Sequence, residues 1–277
     1  MSISHAHKAA AFKSLHERPG IFVVPNPWDA GSAKMLASLG FEALATTSGG
    51  LAYSLGKPDG LARVTREETL ANVAAIVNAT ALPVSADLEN GFGDEPAACA
   101  ETILLAARTG LCGGSIEDAT GNPESPIYPL DLAVRRVEAA VKAARSLSVP
   151  FVLTARAENL IRGRIDLADT IRRIQAYAEA GADVLFAPGV KTTEDITAVV
   201  KAVAPKPVNV IMGLAGSRLS LKDLEALGVK RVSLGSSLVR AAYGAFLHAA
   251  EEVRQKGTFT FAEDTVSYTA FNAMLGG

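Results

Sequence analysis

LASLGFEAL (residues 36–44), AARTGLCGGSIE (106–117), YAEAGADVLF (177–186) and LEALGVKRVSL (224–234) share one pattern: the end of a helical stretch, a glycine, then a short apolar run. A glycine at that place closes a helix in the left-handed conformation at least cost and releases the chain into a strand. Working outward from these four, eight largely apolar runs of strand length stand at 21–24, 43–47, 83–87, 114–117, 151–155, 183–186, 208–212 and 231–234. A longer stretch with helical spacing follows each run, which is the sequence mark of parallel βα units with strands buried on both faces. Eight equal units close a ring, whereas a doubly wound open sheet would carry a dinucleotide-binding glycine fingerprint that is missing here. The expected fold is therefore an α/β (β/α)8 barrel, a TIM barrel, occupying 1–277 as one domain. Residues 258–277 form an extra C-terminal helical segment available for exchange between subunits. Within the barrel, Asp131 is expected to cap a helix whose apolar side carries Val134, Val137, Val141 and Ala144, with Arg135, Arg136 and Lys142 elsewhere.

Composition narrows the function. The 277 residues are 49% hydrophobic and 20% charged, enough apolar mass for a large core. Lys+Arg number 27 and Asp+Glu 29, a net charge of −2 with no basic stripe, so neither nucleic acid nor a membrane is an expected partner. No segment has the apolar length of a signal peptide or a membrane helix, and Cys99 and Cys112 lack the spacing of a zinc site or disulfide framework; a cytoplasmic location is the expectation. His5, His7, His16 and His248 are the only histidines, three of them crowded at the amino end, which leaves almost nothing from which to assemble a histidine triad or a multi-histidine metal site.

Barrel chemistry gathers where strands end, and there the sequence is acidic. The third strand runs into Asp87, Glu89 and the GFG at 91–93, the fourth into Glu117 and Asp118, and the second into Thr47, Ser48 and Gly49 with Asp59 beyond. Asp87 and Glu89, two apart on a strand, should share a face on which Glu117 converges. Carboxylates crowded in one cavity repel unless a cation sits among them, and oxygen ligands without His or Cys suit Mg²⁺ or Mn²⁺. The competing reading makes these acids helix caps or rim salt bridges; Asp118, one place further on, fits it better than Glu117. Arg156 at the end of the fifth strand offers a planar fork for a substrate carboxylate, or else pairs internally with Glu158 or Glu117. Thr47, Ser48 and Gly49 present N–H groups and hydroxyls to an oxyanion, unless SGG is a plain turn. GLAGS at 213–217 and GSS at 235–237 read either as a phosphate cradle or as ordinary N-caps.

SLGKPD ending at Asp59, DLENGFG from Asp87 to Gly93, IED at 116–118 and ARAE at 155–158 together resemble the isocitrate lyase/phosphoenolpyruvate mutase superfamily over most of the chain. The resemblance implies a barrel that binds Mg²⁺ at Asp87, with Asp59, Glu89 and Glu117 acting on the ion or its waters. It also implies that Thr47, Ser48, Gly49 and Arg156 hold a 2-oxo or 2-hydroxy carboxylate, with Asn122 and Asn209 as further substrate contacts. C–C or P–C cleavage through an enolate, and homotetramers built as dimers of dimers that exchange a C-terminal helix, are implied as well. Three departures stand out. The lyase K-[KR]-C-G-H loop is replaced by ATGNPES at 119–125, and the mutase lysine after I-E-D by Ala119. Pro188 stands where the lyases carry a glutamate.

These readings converge on a Mg²⁺-dependent lyase or hydrolase with Asp59, Glu117 and Arg156 as catalytic residues, acting by C–C cleavage on an oxaloacetate-like or acylpyruvate-like acid or a 2-methylisocitrate-like one. The alternatives are a P–C bond enzyme and a non-catalytic barrel that binds an oxo-acid. Residues 119–130, with three prolines, are expected to form a lid, and Tyr53, Asn122, Glu124 and Tyr128 are candidate proton carriers or lid contacts.

Overall fold

The computed structural model describes residues 3–276; residues 1, 2 and 277, which belong to the expected 1–277 domain and 258–277 extension, lie outside it. Eight strands appear where the apolar runs predict them: β1 (Phe22–Val24), β2 (Leu44–Ala45), β3 (Val84–Asp87), β4 (Gly113–Glu117), β5 (Val152–Arg156), β6 (Val184–Phe186), β7 (Val208–Ile211) and β8 (Arg231–Ser233). All neighbouring pairs are parallel, in the order β1-β8-β7-β6-β5-β4-β3-β2. The ring closes where the Ala45 N–H donates to the Pro25 carbonyl at 3.1 Å, joining the ends of β1 and β2.

The helices are α1 (His5–Glu17), α2 (Ala30–Ser38), α3 (Ser48–Ser54), α4 (Arg66–Ala79), α5 (Pro96–Ala107), α6 (Leu130–Arg145), α7 (Leu167–Glu179), α8 (Thr193–Val203), α9 (Leu221–Ala226), α10 (Ser237–Lys256) and α11 (Tyr268–Met274). Leu44, Ile76, Val84, Ile103 and Leu153 pack sheet against helices on one side, and Ile174, Leu185, Val199, Val210 and Val232 on the other. Each such side chain contributes about 1.5–3 kcal/mol by leaving water. Phe12 and Leu15 of α1 plug the N-terminal mouth against Phe22, Val152 and Val184, which leaves the C-terminal mouth as the open end.

α6 corrects two expectations. Its N-cap is Pro129, and Asp131 lies in the first turn, where its charge complements the helix dipole. Arg136 is on the buried side, 1% exposed, with its guanidinium against the carbonyls of Asn90, Gly93 and Asp94 and 4.2 Å over the Tyr128 ring. Hydrophobic periodicity misses a buried arginine that serves as a carbonyl clamp for a loop.

α10 departs from the usual outer ring. Its twenty residues bury only Val239, while Phe246 is 68% and Leu247 55% exposed. Beyond it a 3-10 turn (Thr260–Asp264) leads to α11, where Lys34 of α2 donates to the Leu275 carbonyl at 2.8 Å. Among the described residues, no helix is long and apolar enough to cross a membrane.

Candidate active site

A cavity of about 250 Å³ opens at the C-terminal mouth, lined among others by Thr47, Ser48, Gly49, Asp59, Asp87, Arg156 and Asn209. Glu89, Glu117 and Asn122 are not in its wall; Asn122, exposed, lines a separate cavity with Gly60, Gly121 and Pro126. Strand alternation explains the inward set. Asp87 is level with Ser115, and Glu117 with Arg156, so each strand contributes a polar residue at its last inward position.

Arg156 is the hub. Its Nη1 donates to Asp87 Oδ1 at 2.9 Å, its Nη2 lies 3.1 Å from Glu117 Oε2 and 2.8 Å from Glu158 Oε1, and its Nε donates to Glu158 Oε1 at 3.0 Å. Both internal pairings weighed for Arg156 are therefore present together, with Asp87 added. Glu158, fully buried, is a site residue that the sequence reading left as a mere pairing partner, although its spacing of two from Arg156 is the available signal.

The carboxylates respond to this setting in opposite ways. Burial pushes Asp87 up, but Arg156, the Glu89 N–H and Ser48 outweigh it and hold the carboxyl below its usual range. Asp59 stays open to solvent through the cavity; desolvation of its carboxyl and the nearby Asp87 raise its proton affinity against the Gly60 N–H and Ser48. Burial, with Asp87 and Asp59 nearby, pushes Glu89 up to about 7. Burial also raises Glu117, against the pull of Arg156.

Two expectations of geometry change. β3 ends at Asp87, and Glu89 adopts φ +47°, so a left-handed turn rather than strand alternation brings its carboxyl near Asp87 and Asp59. Glu117 is engaged by Arg156 and, at 3.5 Å, by Arg162. Among the described residues no three carboxylates stand close enough to cage a metal directly. The donor set still suits a hard divalent cation. Asp87 raises the proton affinity of both Asp59 and Glu89, Asp59 raises that of Glu89, and only Asp87 among them is ion-paired, a surplus of negative charge that Mg²⁺ would relieve while keeping several waters.

SGG is neither a plain turn nor an open oxyanion cradle. Thr47 caps α3 by accepting from Gly50 N–H, and the Ser48 N–H points at Asp87 Oδ2 at 3.4 Å. A Cβ on Gly49 would lie 2.9 Å from Asp59 Oδ2, so the glycine is what admits Asp59. Asn26, missed in the sequence, accepts the Leu234 and Gly235 N–H groups at 2.7 and 2.9 Å, which occupies donors that a phosphate cradle after β8 would need.

Asn209, 1% exposed, accepts from Arg231 Nε at 2.9 Å and donates to Ser233 at 3.0 Å. Arg231, also missed, reaches further to Thr154 and His16 and makes no ion pair among the described residues. Asp118 faces outward, as expected, accepting from Tyr177, Arg173 and the Glu158 N–H. Tyr128 is buried and donates to Asp94 at 2.5 Å, away from the cavity; Glu124 is exposed. Residues 119–127 form a hairpin-like loop through the Ala119–Ile127 bridge.

With the acidic, arginine-centred mouth of the barrel in view, comparison with known proteins places the chain. A profile described as phosphoenolpyruvate phosphomutase matches residues 12–254. The chain belongs to the phosphoenolpyruvate mutase/isocitrate lyase superfamily. A Burkholderia cenocepacia J2315 structure described only as a lyase/mutase is 57% identical, with a TM-score of 0.95 over 99% of this chain and 97% of that one. The structure of oxaloacetate acetylhydrolase in complex with its product oxalate is 26% identical, with a TM-score of 0.87 over 98% and 94%. The 2-methylisocitrate lyase of Escherichia coli K12 is 29% identical over 264 residues, covering 92% of this chain and 88% of that protein. This superfamily member thus has C–C lyases and hydrolases among its relatives.

Proposed function

We propose that this protein is a Mg²⁺-dependent lyase or hydrolase that cleaves a C–C bond of a small 2-oxo or 2-hydroxy carboxylate, in a branch without the lyase cysteine loop. The observation that carries the reading is the cavity lined by Asp59 and Asp87, with Glu89 close enough to feel both charges and the cavity's Arg156 locked to Asp87. Asp87, kept ionised by Arg156, is the residue to hold Mg²⁺, with Asp59 and Glu89 acting on the ion or its waters; Mn²⁺ would suit the same donors. The ion, when bound, supplies positive charge beside the substrate's 2-oxygen.

The chain's own residues do the rest. Arg156 fixes Asp87, Glu117 and Glu158 and supplies fixed positive charge at the cavity wall beside the substrate carboxylate. Ser48, Gly49 and Thr47 form the small-residue wall against which the acid lies, and Asn209 contributes at the floor. For an oxaloacetate-like acid, the C3–C4 electron pair moves toward C2 as carbon dioxide leaves. Asp59, with its raised proton affinity and its carboxyl on the cavity, then returns a proton to C3. For a 2-hydroxy acid the same carboxylate would take the hydroxyl proton as the 2-oxygen becomes a carbonyl and the C2–C3 electron pair leaves on C3, which then takes up that proton.

The family profile favours a second reading, P–C bond cleavage. Against it, the place after Asp118 is Ala119, buried in the bridge to Ile127, which offers no amine to a phosphonate. Turnover of oxaloacetate and of phosphonopyruvate with Mg²⁺ distinguishes the two. Loss of turnover with EDTA and with Asp87→Ala supports the metal site, whereas no turnover of any acid in the panel would leave the silent oxo-acid-binding barrel. We further propose that 1–277 is one barrel domain whose 258–277 extension and α10 exchange between subunits of a homotetramer; the uncovered Phe246 and Leu247 support this.

A further inference from the structure

One cation next to the cavity is only loosely committed. Arg156 is bound on every nitrogen by a carboxylate. Arg162, six residues further on, is held by longer contacts: Nη1 to the Gly60 carbonyl at 3.3 Å, Nη2 to Glu117 Oε1 at 3.5 Å, and Nε to Glu158 Oε2 at 3.8 Å. Arg162 Nε and Glu158 Oε2 are both buried and neither makes a hydrogen bond. Their separation is too long for a bond and too short for an intervening water. An arginine left in this condition gains partners by moving, since buried charged donors without acceptors are costly.

The surroundings give it somewhere to go. The side chain remains 27% exposed. It passes over the loop that carries Asp59 at Gly60, where φ is +75° and a Cβ would come within 2.9 Å of Nη1. Ile161 lines the main cavity, while Arg162 lines the second one, about 280 Å³, with Gly60, Asn122 and Pro126. Residues 161–162 are therefore the wall between the two spaces.

We infer that Arg162 is a specificity-determining residue that binds the second carboxylate of a dicarboxylic 2-oxo or 2-hydroxy acid held in the main cavity. The inference rests on the carboxylate-cleaving reading above. A monocarboxylic acid leaves Arg162 against Glu117 and Glu158, whereas a second carboxylate offers its guanidinium a forked, charge-assisted pair. The two arginines that line the main cavity are committed: Arg156 to three carboxylates, and Arg231 to Asn209, His16 and Thr154.

The test is calorimetric binding of malate, lactate and oxalate to the full chain with Mg²⁺, for wild type, Arg162→Gln and Arg162→Lys. Malate should bind wild type more tightly than lactate. Arg162→Gln should weaken malate by roughly tenfold or more, the size of one lost charge-assisted hydrogen bond, with lactate changed far less and Arg162→Lys recovering part of the loss. A wild type that binds oxalate without preferring malate, or an Arg162→Gln variant that weakens all three acids alike, overturns the inference. Unchanged thermal melting of Arg162→Gln separates this from unfolding. Failure of wild type to bind any of the three acids instead overturns the carboxylate reading itself.

Discussion

Arg156 Nη1 donates to Asp87 Oδ1 at 2.9 Å, and both side chains are nearly withdrawn from solvent at the level where the barrel strands end. The pair is asymmetric, because Arg156 also serves Glu117 and Glu158 while Asp87 has no second cation. Removing either member therefore has unequal consequences for the fold.

Arg156→Met leaves three buried or half-buried carboxylates without their shared cation, a loss of about 3–5 kcal/mol by analogy with broken buried ion pairs. Asp87→Asn keeps a hydrogen-bond acceptor but gives up a charge the fold favours, while Arg156 retains Glu117 and Glu158, so its melting temperature should fall less than that of Arg156→Met while Mg²⁺ affinity and turnover collapse. Thermal melting with and without saturating Mg²⁺ reads both effects. A stable Arg156→Met variant, or an Asp87→Asn variant still stabilised by Mg²⁺, contradicts the assignment.

Gly49→Ala probes Asp59 without touching it. The new Cβ would lie 2.9 Å from Asp59 Oδ2 and 3.1 Å from Ser236 Cβ. A carboxylate tip moves easily, so the fold should survive while Asp59 is displaced. The expected result is a fall of roughly a hundredfold in kcat/KM, the size expected for a misplaced catalytic group, with little change in melting temperature. Unchanged turnover would remove Asp59 from the reaction.

The barrel itself was legible because parallel strands buried on both faces read as short apolar runs, and all eight stand where such runs occur. The inward register of Asp87, Glu117 and Arg156 followed from strand ends and alternation. What the sequence hid lies where alternation stops. Glu89 reaches the cluster through a left-handed turn, and Asn26 reaches the β8 loop across the ring closure. Arg136 and Arg231 are buried against neutral acceptors, which no apolar periodicity marks. α1 and the seven-residue α3 also lack the spacing of a long amphipathic helix.

Acid sensitivity should be read at the opposite end of the barrel. His16 packs edge-on between Phe12 and Phe22, donates Nδ1–H to the Phe12 carbonyl at 2.8 Å and meets Arg231 Nη1 through Nε2 at 3.2 Å. Burial, then the charge of Arg231, lower its pKa to about 3 from the ordinary 6.5. The folded ring stays neutral while the unfolded one takes a proton, so its contribution is complete above pH 6.5 and is lost as pH falls from 6.5 toward 3. The slope is at most about 1.4 kcal/mol per pH unit. His16→Gln, which keeps an acceptor for Arg231, should flatten the stability profile between pH 6 and 4 in urea titrations. A profile identical to wild type would assign the acid loss to other groups.

α10 supplies the remaining prediction, because its geometry makes little sense for a chain alone. Twenty residues of helix bury one valine, while Phe246 and Leu247 stand 68% and 55% exposed, and Phe259 and Tyr268 beyond them are 66% and 84% exposed. Apolar surface on this scale is costly in water, and the proposed subunit exchange would cover it. Phe246 and Leu247 add little to the isolated fold, so Phe246→Glu combined with Leu247→Glu should leave the circular dichroism spectrum intact. Mass photometry should then show a wild-type oligomer and a double variant shifted toward monomer. A monomeric wild type at micromolar concentration would rule out subunit exchange through this helix.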